Sequence, residues 1–119
     1  MKKVLIIDDH RDLRELLRAQ IGLKGFSAIS AKSVKEGIET AIAEKPDLIL
    51  MDIMMPEMDG REATRILRQI TETKEIPIVA VTAMFRPSDL KSCIEAGCND
   101  YISKPFTLEQ LREKISALI

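Results

Sequence analysis

The sequence predicts a doubly wound α/β domain, a five-stranded parallel β-sheet with helices on both faces. Two observations predict it. Short apolar runs alternate five times with stretches whose apolar residues recur at helical spacing, the order expected of successive βα units. The clearest runs are apolar throughout, as strands covered on both faces require. At 119 residues the chain suits one such domain, taken as residues 1–119.

VLII (Val4 to Ile7) is the first strand, and Leu13, Leu16, Leu17 and Ile21 give the first helix its inward row, ending near Gly25. FSAIS (Phe26 to Ser30) is a weaker second strand. Ser33 and Glu36 have capping-box spacing ahead of a helix with Val34, Ile38, Ala41 and Ile42 on one face, stopped by Pro46. LILMD (Leu48 to Asp52) is the third strand. Asp59 with Glu62 caps a helix whose face is Ala63, Ile66, Leu67 and Ile70. IVAVT (Ile78 to Thr82) is the fourth strand. A helix from Ser88 to Ala96 turns Leu90, Cys93 and Ile94 inward and closes at Gly97. YIS (Tyr101 to Ser103) is a short fifth strand. Thr107 and Gln110 cap a last helix through Leu108, Leu111, Ile115 and Leu118.

Composition narrows the function. A net charge of -1 offers no basic surface for nucleic acid or anionic membrane, and 3% aromatic residues offer little for base stacking. The apolar runs are far too short to span a bilayer, and VLII is cut off by Asp8-Asp9 before it could serve as an export signal. Cys93 and Cys98 lack CxxC spacing and read as packed thiols of a reduced, cytoplasmic protein.

In such sheets ligands gather outside the carboxyl ends of the strands, where the strand order reverses. The first strand ends in Asp8-Asp9, the third in Asp52, the fourth in Thr82, and Lys104-Pro105 follows the fifth. Singly, each has a plain explanation: acids favouring a helix N-terminus, a turn aspartate, a β-branched strand residue, an exposed lysine. Together they put three carboxylates, a hydroxyl and an ammonium on one edge. Carboxylates so grouped repel unless a cation joins them, and oxygen donors of this kind suit Mg2+. Asp52 is then placed to act as a nucleophile toward phosphorus, with Lys104 and Thr82 fit to receive phosphoryl oxygens.

The stretches VLIIDDH, LILMDIMMPEMDG, VAVTA (Val79 to Ala83) and YISKPF (Tyr101 to Phe106) make the whole chain resemble the receiver domain of two-component response regulators, of the single-domain, chemotaxis-regulator-like kind, with its flavodoxin-like (βα)5 fold. The resemblance implies a phosphorylation-dependent signalling switch rather than an enzyme. Asp52 would accept a phosphoryl group from a sensor histidine kinase or a histidine phosphotransfer protein. Asp9, Asp52 and the backbone carbonyl of Met54 would hold Mg2+, with Asp8 acting through a water. Lys104 would pair with the phosphoryl group, next to a cis Lys104-Pro105 bond. Pro56 and Gly60 would shape the loop after the acceptor. Thr82 and Tyr101 would form the switch, with Ala83 leaving room, and the face of the fourth helix, fifth strand and fifth helix would change for a downstream partner. A monomer is expected, with a dimer through that face as the alternative, and no direct contact with nucleic acid or membrane.

His10, at a helix start, is read as a positioning or solvent residue because Mg2+ prefers oxygen. Met54 and Met84 flank the acceptor, where they could affect water access and phosphoryl lifetime, and Met84-Phe85 would form an apolar pair at the start of the fourth helix. The start at Met1 and the end at the fifth helix fit a stand-alone regulator. The alternatives are a Mg2+-dependent phosphohydrolase, which needs a second aspartate that Asp52-Ile53-Met54 lacks and a cap domain, and a receiver fold used only as a scaffold.

Overall fold

The computed structural model describes residues 1–84 and 86–119, so the expectation for Phe85 lies outside the described residues. The elements run β1 (Lys3–Ile7), α1 (Arg11–Leu23), β2 (Ser27–Ala31), α2 (Val34–Glu44), β3 (Leu48–Asp52), α3 (Gly60–Gln69), β4 (Ile78–Thr82), α4 (Pro87–Ala96), β5 (Asp100–Ser103) and α5 (Leu108–Leu118). The strands form one parallel sheet in the order β2-β1-β3-β4-β5. The chain therefore reverses its direction across the sheet between β1 and β3.

Alternation along the strands splits the core in two. Leu5, Ile7, Ile49, Met51, Ile78 and Ala80 face the side covered by α2, α3 and α4, through Val34, Ala41, Ala63, Leu67 and Cys93. Val4, Ile6, Leu48, Leu50, Val79 and Val81 face α1 and α5, through Leu17, Ile21, Leu111 and Ile115. Burial on both faces explains why β3 and β4 are inaccessible along their whole lengths.

The helix starts follow the sequence with differences. Thr107 and Gln110 form the complete capping box on α5. Ser33 accepts from Glu36 N–H. Asp59 accepts from Arg61 N–H at 2.8 Å, not from Glu62, so its cap closes one residue early. The α2 stop includes Lys45 in the left-handed region, φ 47°. Gly97 ends α4 at φ 119°, where a side chain would be strained. Two inward assignments are corrected: Leu16 is 53% exposed and Ile94 44%. Each lies one residue, about 100° of helix turn, off the row that touches the sheet, headed by Leu17 and Cys93. Strand two is shifted by one residue: it runs from Ser27, in register with Lys3, to Ala31, in register with Ile7, and Phe26 precedes it.

Candidate functional site

The reversal between β1 and β3 opens a gap at the carboxyl ends of both strands, and Asp8, Asp9 and Asp52 stand there. Oxygen atoms of the three carboxylates and a ring nitrogen of His10 all lie within 4.8 Å of one another. Asp8 and Asp52 are almost wholly buried, at 2% and 3% exposure. Asp8 is well held. Its Oδ1 accepts from His10 N–H at 2.8 Å and lies 3.0 Å from His10 Nδ1, and its carbonyl accepts from Arg14 at 2.9 Å.

Asp52 is less well held. Its Oδ1 accepts one 3.3 Å bond from Met54 N–H and lies 3.7 Å from Lys104 Nζ, a charge contact longer than a hydrogen bond. Asp52 Oδ2 and Asp9 Oδ1 are buried without any hydrogen-bond partner. His10 Nδ1 comes within 3.3 Å of that Asp9 oxygen but is not aligned for a hydrogen bond. Burial raises the Asp52 pKa above the ordinary carboxylate value, and the neighbouring Asp8 raises it further, against the pull of Lys104 and Met54 N–H.

Gly60 is required by space rather than by φ. A Cβ there would run into the Asp52 carbonyl oxygen and the Ile53 backbone, because the chain turns back so tightly that Gly60 N–H donates to Ile53 O at 2.8 Å. That turn fixes the Asp52-Ile53 peptide. Pro56 lies in the same loop and lines an open cleft beside the carboxylates, with Asp9, His10, Met54 and Met84.

Thr82 is fully buried at the end of β4, and its Oγ1 accepts from Met84 N–H at 2.9 Å. Lys104 N–H donates to Thr82 O at 2.8 Å, which ties the lysine to the same edge, and the Lys104-Pro105 peptide is cis. Tyr101 on β5 is half-buried and packs against the α2–α4 side of the core, with Lys114 Nζ 5.6 Å from its ring centre. Of the flanking methionines, Met54 is 62% exposed and Met84 partly buried.

Asp8, Asp9 and Asp52 therefore come together as the sequence leads one to expect, with Lys104 beside them. Tyr101 is separate, on β5. Two contacts had no sequence signal. Arg61 grips Asp59 through Nε and Nη2 and reaches Ser92 Oγ at 2.8 Å, linking the start of α3 to α4. Glu57, in the loop after β3, accepts from Val34 N–H at 3.0 Å and links that loop to α2. Neither pairing could be found from a capping pattern or an apolar period.

The donor set fits a hard cation. It supplies carboxylate oxygens, two of them buried and unpartnered, and too little positive charge among the described residues to balance them.

A family model for the response regulator receiver domain matches residues 4–116. The response regulator MprA of Mycobacterium leprae is 37% identical over 117 residues, 98% of this chain and 50% of that protein. The chain thus spans about half the length of the curated relatives it matches. Among solved structures, the chemotaxis protein CheY4 of Vibrio cholerae superposes with a TM-score of 0.94 at 26% identity, covering 100% of this chain and 99% of that one. The receiver domain of the sensor histidine kinase PA1611 of Pseudomonas aeruginosa, solved with a magnesium ion coordinated in its active site cleft, superposes with a TM-score of 0.90 at 28% identity, covering 98% and 96%. No helix among the described residues is long and apolar enough to cross a membrane.

Proposed function

We propose that this chain, which belongs to the response regulator receiver domain family, is a phosphorylation-dependent switch with Asp52 as its acceptor. The observation that carries the reading is the state of the Asp52 carboxylate. It sits on a rigid strand end, buried, with Oδ2 free of any hydrogen bond and Lys104 3.7 Å from Oδ1.

Asp52 Oδ2 attacks the phosphorus of a phosphohistidine on a sensor kinase or phosphotransfer protein. The new O–P bond forms as the P–N bond breaks, and the donor imidazole keeps the electron pair. Lys104, already at the site, moves its charge from the carboxylate to the phosphoryl oxygens. Thr82 has its Oγ1 lone pair occupied by Met84 N–H, which leaves the hydroxyl proton available to a phosphoryl oxygen. Asp9, Asp52 and the Met54 carbonyl would hold Mg2+, and Asp8, its Oδ1 tied to His10, would act through a water. When bound, that ion neutralises the charge that three carboxylates and a phosphoryl group bring together. The magnesium in the cleft of the PA1611 receiver domain supports the choice of ion.

The output follows from Thr82. A hydroxyl drawn toward the phosphoryl group changes the packing at the end of β4, and Tyr101, on the neighbouring strand, adjusts its half-buried ring. The face of α4, β5 and α5 is then altered for a downstream protein. A near-complete switch needs about 5.5 kcal/mol of differential stabilisation between the two states. The protein acts in the cytoplasm, and self-catalysed dephosphorylation resets it.

Intact-mass spectrometry after incubation with acetyl phosphate tests the reading. One labile phosphoryl adduct is expected on the wild type with Mg2+, and none with EDTA or in Asp52→Asn. An adduct that survives in Asp52→Asn would overturn the assignment.

A further inference from the structure

We infer that the carboxylate cluster is a mixed oxygen–nitrogen site, in which the His10 imidazole coordinates a borderline divalent cation of the Co2+, Ni2+ or Zn2+ class that competes with Mg2+. The inference rests on the cation site of the proposed function and adds a ligand and a metal class to it.

Three observations carry it. The His10 ring nitrogen belongs to the group of donor atoms that lie within 4.8 Å of one another. Its Nδ1 stands 3.0 Å from Asp8 Oδ1 and 3.3 Å from Asp9 Oδ1, close to two of the three carboxylates of the cluster. And Asp52, 3% exposed, contributes to the same group a buried Oδ2 with no partner.

The chemistry separates two classes of ion. Mg2+ takes oxygen ligands and retains water, so an imidazole adds little to its binding. The later first-row divalent ions bind imidazole well, and their affinity for a given nitrogen and oxygen set rises toward copper. His10 is placed to act on that difference. Its main chain is anchored by the 2.8 Å bond from its N–H to Asp8 Oδ1, while its side chain is 63% exposed and has room to turn. With Mg2+ the ring keeps its contact with Asp8. With a borderline ion it exchanges that contact for a metal–nitrogen bond. The receiver then responds to such ions as competitors at its phosphorylation site.

The chain has a single histidine, so one proton NMR experiment on the full chain reads the ligand directly. Titration with Co2+ should produce a hyperfine-shifted imidazole N–H resonance in the wild type, absent in His10→Ala. Calorimetric titration with Co2+ and Mg2+ should show the ratio of the two affinities falling about tenfold or more in His10→Ala. If Co2+ binds and Asp52→Asn weakens it, but no shifted imidazole resonance appears and the ratio is unchanged in His10→Ala, the inference is overturned and the oxygen site stands. If neither ion binds, or binding ignores Asp52→Asn, the cation site itself is overturned and the inference with it.

Discussion

Two charged side chains sit at opposite ends of the same sheet, and they are treated in opposite ways. At the carboxyl end, Asp52 is buried with one oxygen unpartnered and its cation held off at 3.7 Å. At the amino end, Arg68 is surrounded by acceptors. Its Nε donates to Gly97 O at 3.0 Å, its Nη1 to Ile76 O at 2.6 Å and Lys74 O at 3.0 Å, and its Nη2 to Asn99 Oδ1 at 2.8 Å. That Asn99 oxygen also accepts from Ile78 N–H at 2.9 Å, so one guanidinium joins α3, the entry to β4 and the entry to β5. Burial lowers the Arg68 pKa, yet each of its three nitrogens has at least one acceptor. The difference teaches where this fold keeps its unspent polar capacity. A satisfied charge stabilises a frame, and a charge short of partners marks the place where a ligand is to supply them.

The sharpest way to break the contrast is to remove the satisfied charge. Arg68→Ala leaves several acceptors without their donor and should cost about 2–4 kcal/mol, read as a lower midpoint in urea. Labelling of Asp52 by acetyl phosphate should persist wherever the variant remains folded. Removing the unsatisfied charge should do the reverse. Asp52→Asn should stabilise the metal-free protein by about 1–3 kcal/mol while abolishing labelling. Millimolar Mg2+ should narrow that gap by stabilising the wild type selectively, and EDTA should restore it. Thermal melts with each addition check both.

A smaller effect sharpens the comparison through pH. The Asp52 pKa is raised in the folded state, so its contribution to stability is fully present below the unfolded carboxylate value. It is lost as pH rises through the folded value. Metal-free wild type should therefore lose stability relative to Asp52→Asn across that window and run parallel to it above. Asp59 has the opposite sign. Its hydrogen bond with Arg61 lowers its pKa, so its contribution is present above the unfolded value and lost as pH falls through the folded one. Asp59→Ala also removes the α3 cap, and about 1 kcal/mol is expected, read by urea unfolding at neutral pH and reduced at low pH.

The same contrast explains what could be read from the sequence. The carboxyl end of the sheet was legible because each part is local: an apolar strand, then Asp8-Asp9, Asp52 or Thr82 at its end, with the βα order bringing those ends together. Thr107 and Gln110 declared a cap for the same reason. The Arg68 hub was not legible. Its partners Gly97 and Asn99 lie 29 and 31 residues away, and three of its acceptors are backbone carbonyls that any residue supplies. Arg61 reaching Ser92 was hidden in the same way. Leu16 and Ile94 read as inward from spacing alone because an apolar residue at the margin of a helix face reads like one at its centre. His10 was legible as a residue beside the site, but its distances to two carboxylates depend on how the β1–α1 turn folds.

The strand order has a consequence for how the molecule comes to be made. The site draws on residues 8–10, on 52–60, on Thr82 and finally on Lys104, so four distant stretches of chain must meet at one edge. Such long-range closure is slow compared with local helix formation. A chain still emerging from the ribosome carries Asp52 well before it carries Lys104. The complete arrangement of carboxylates, hydroxyl and ammonium thus exists only once the chain has folded through residue 104.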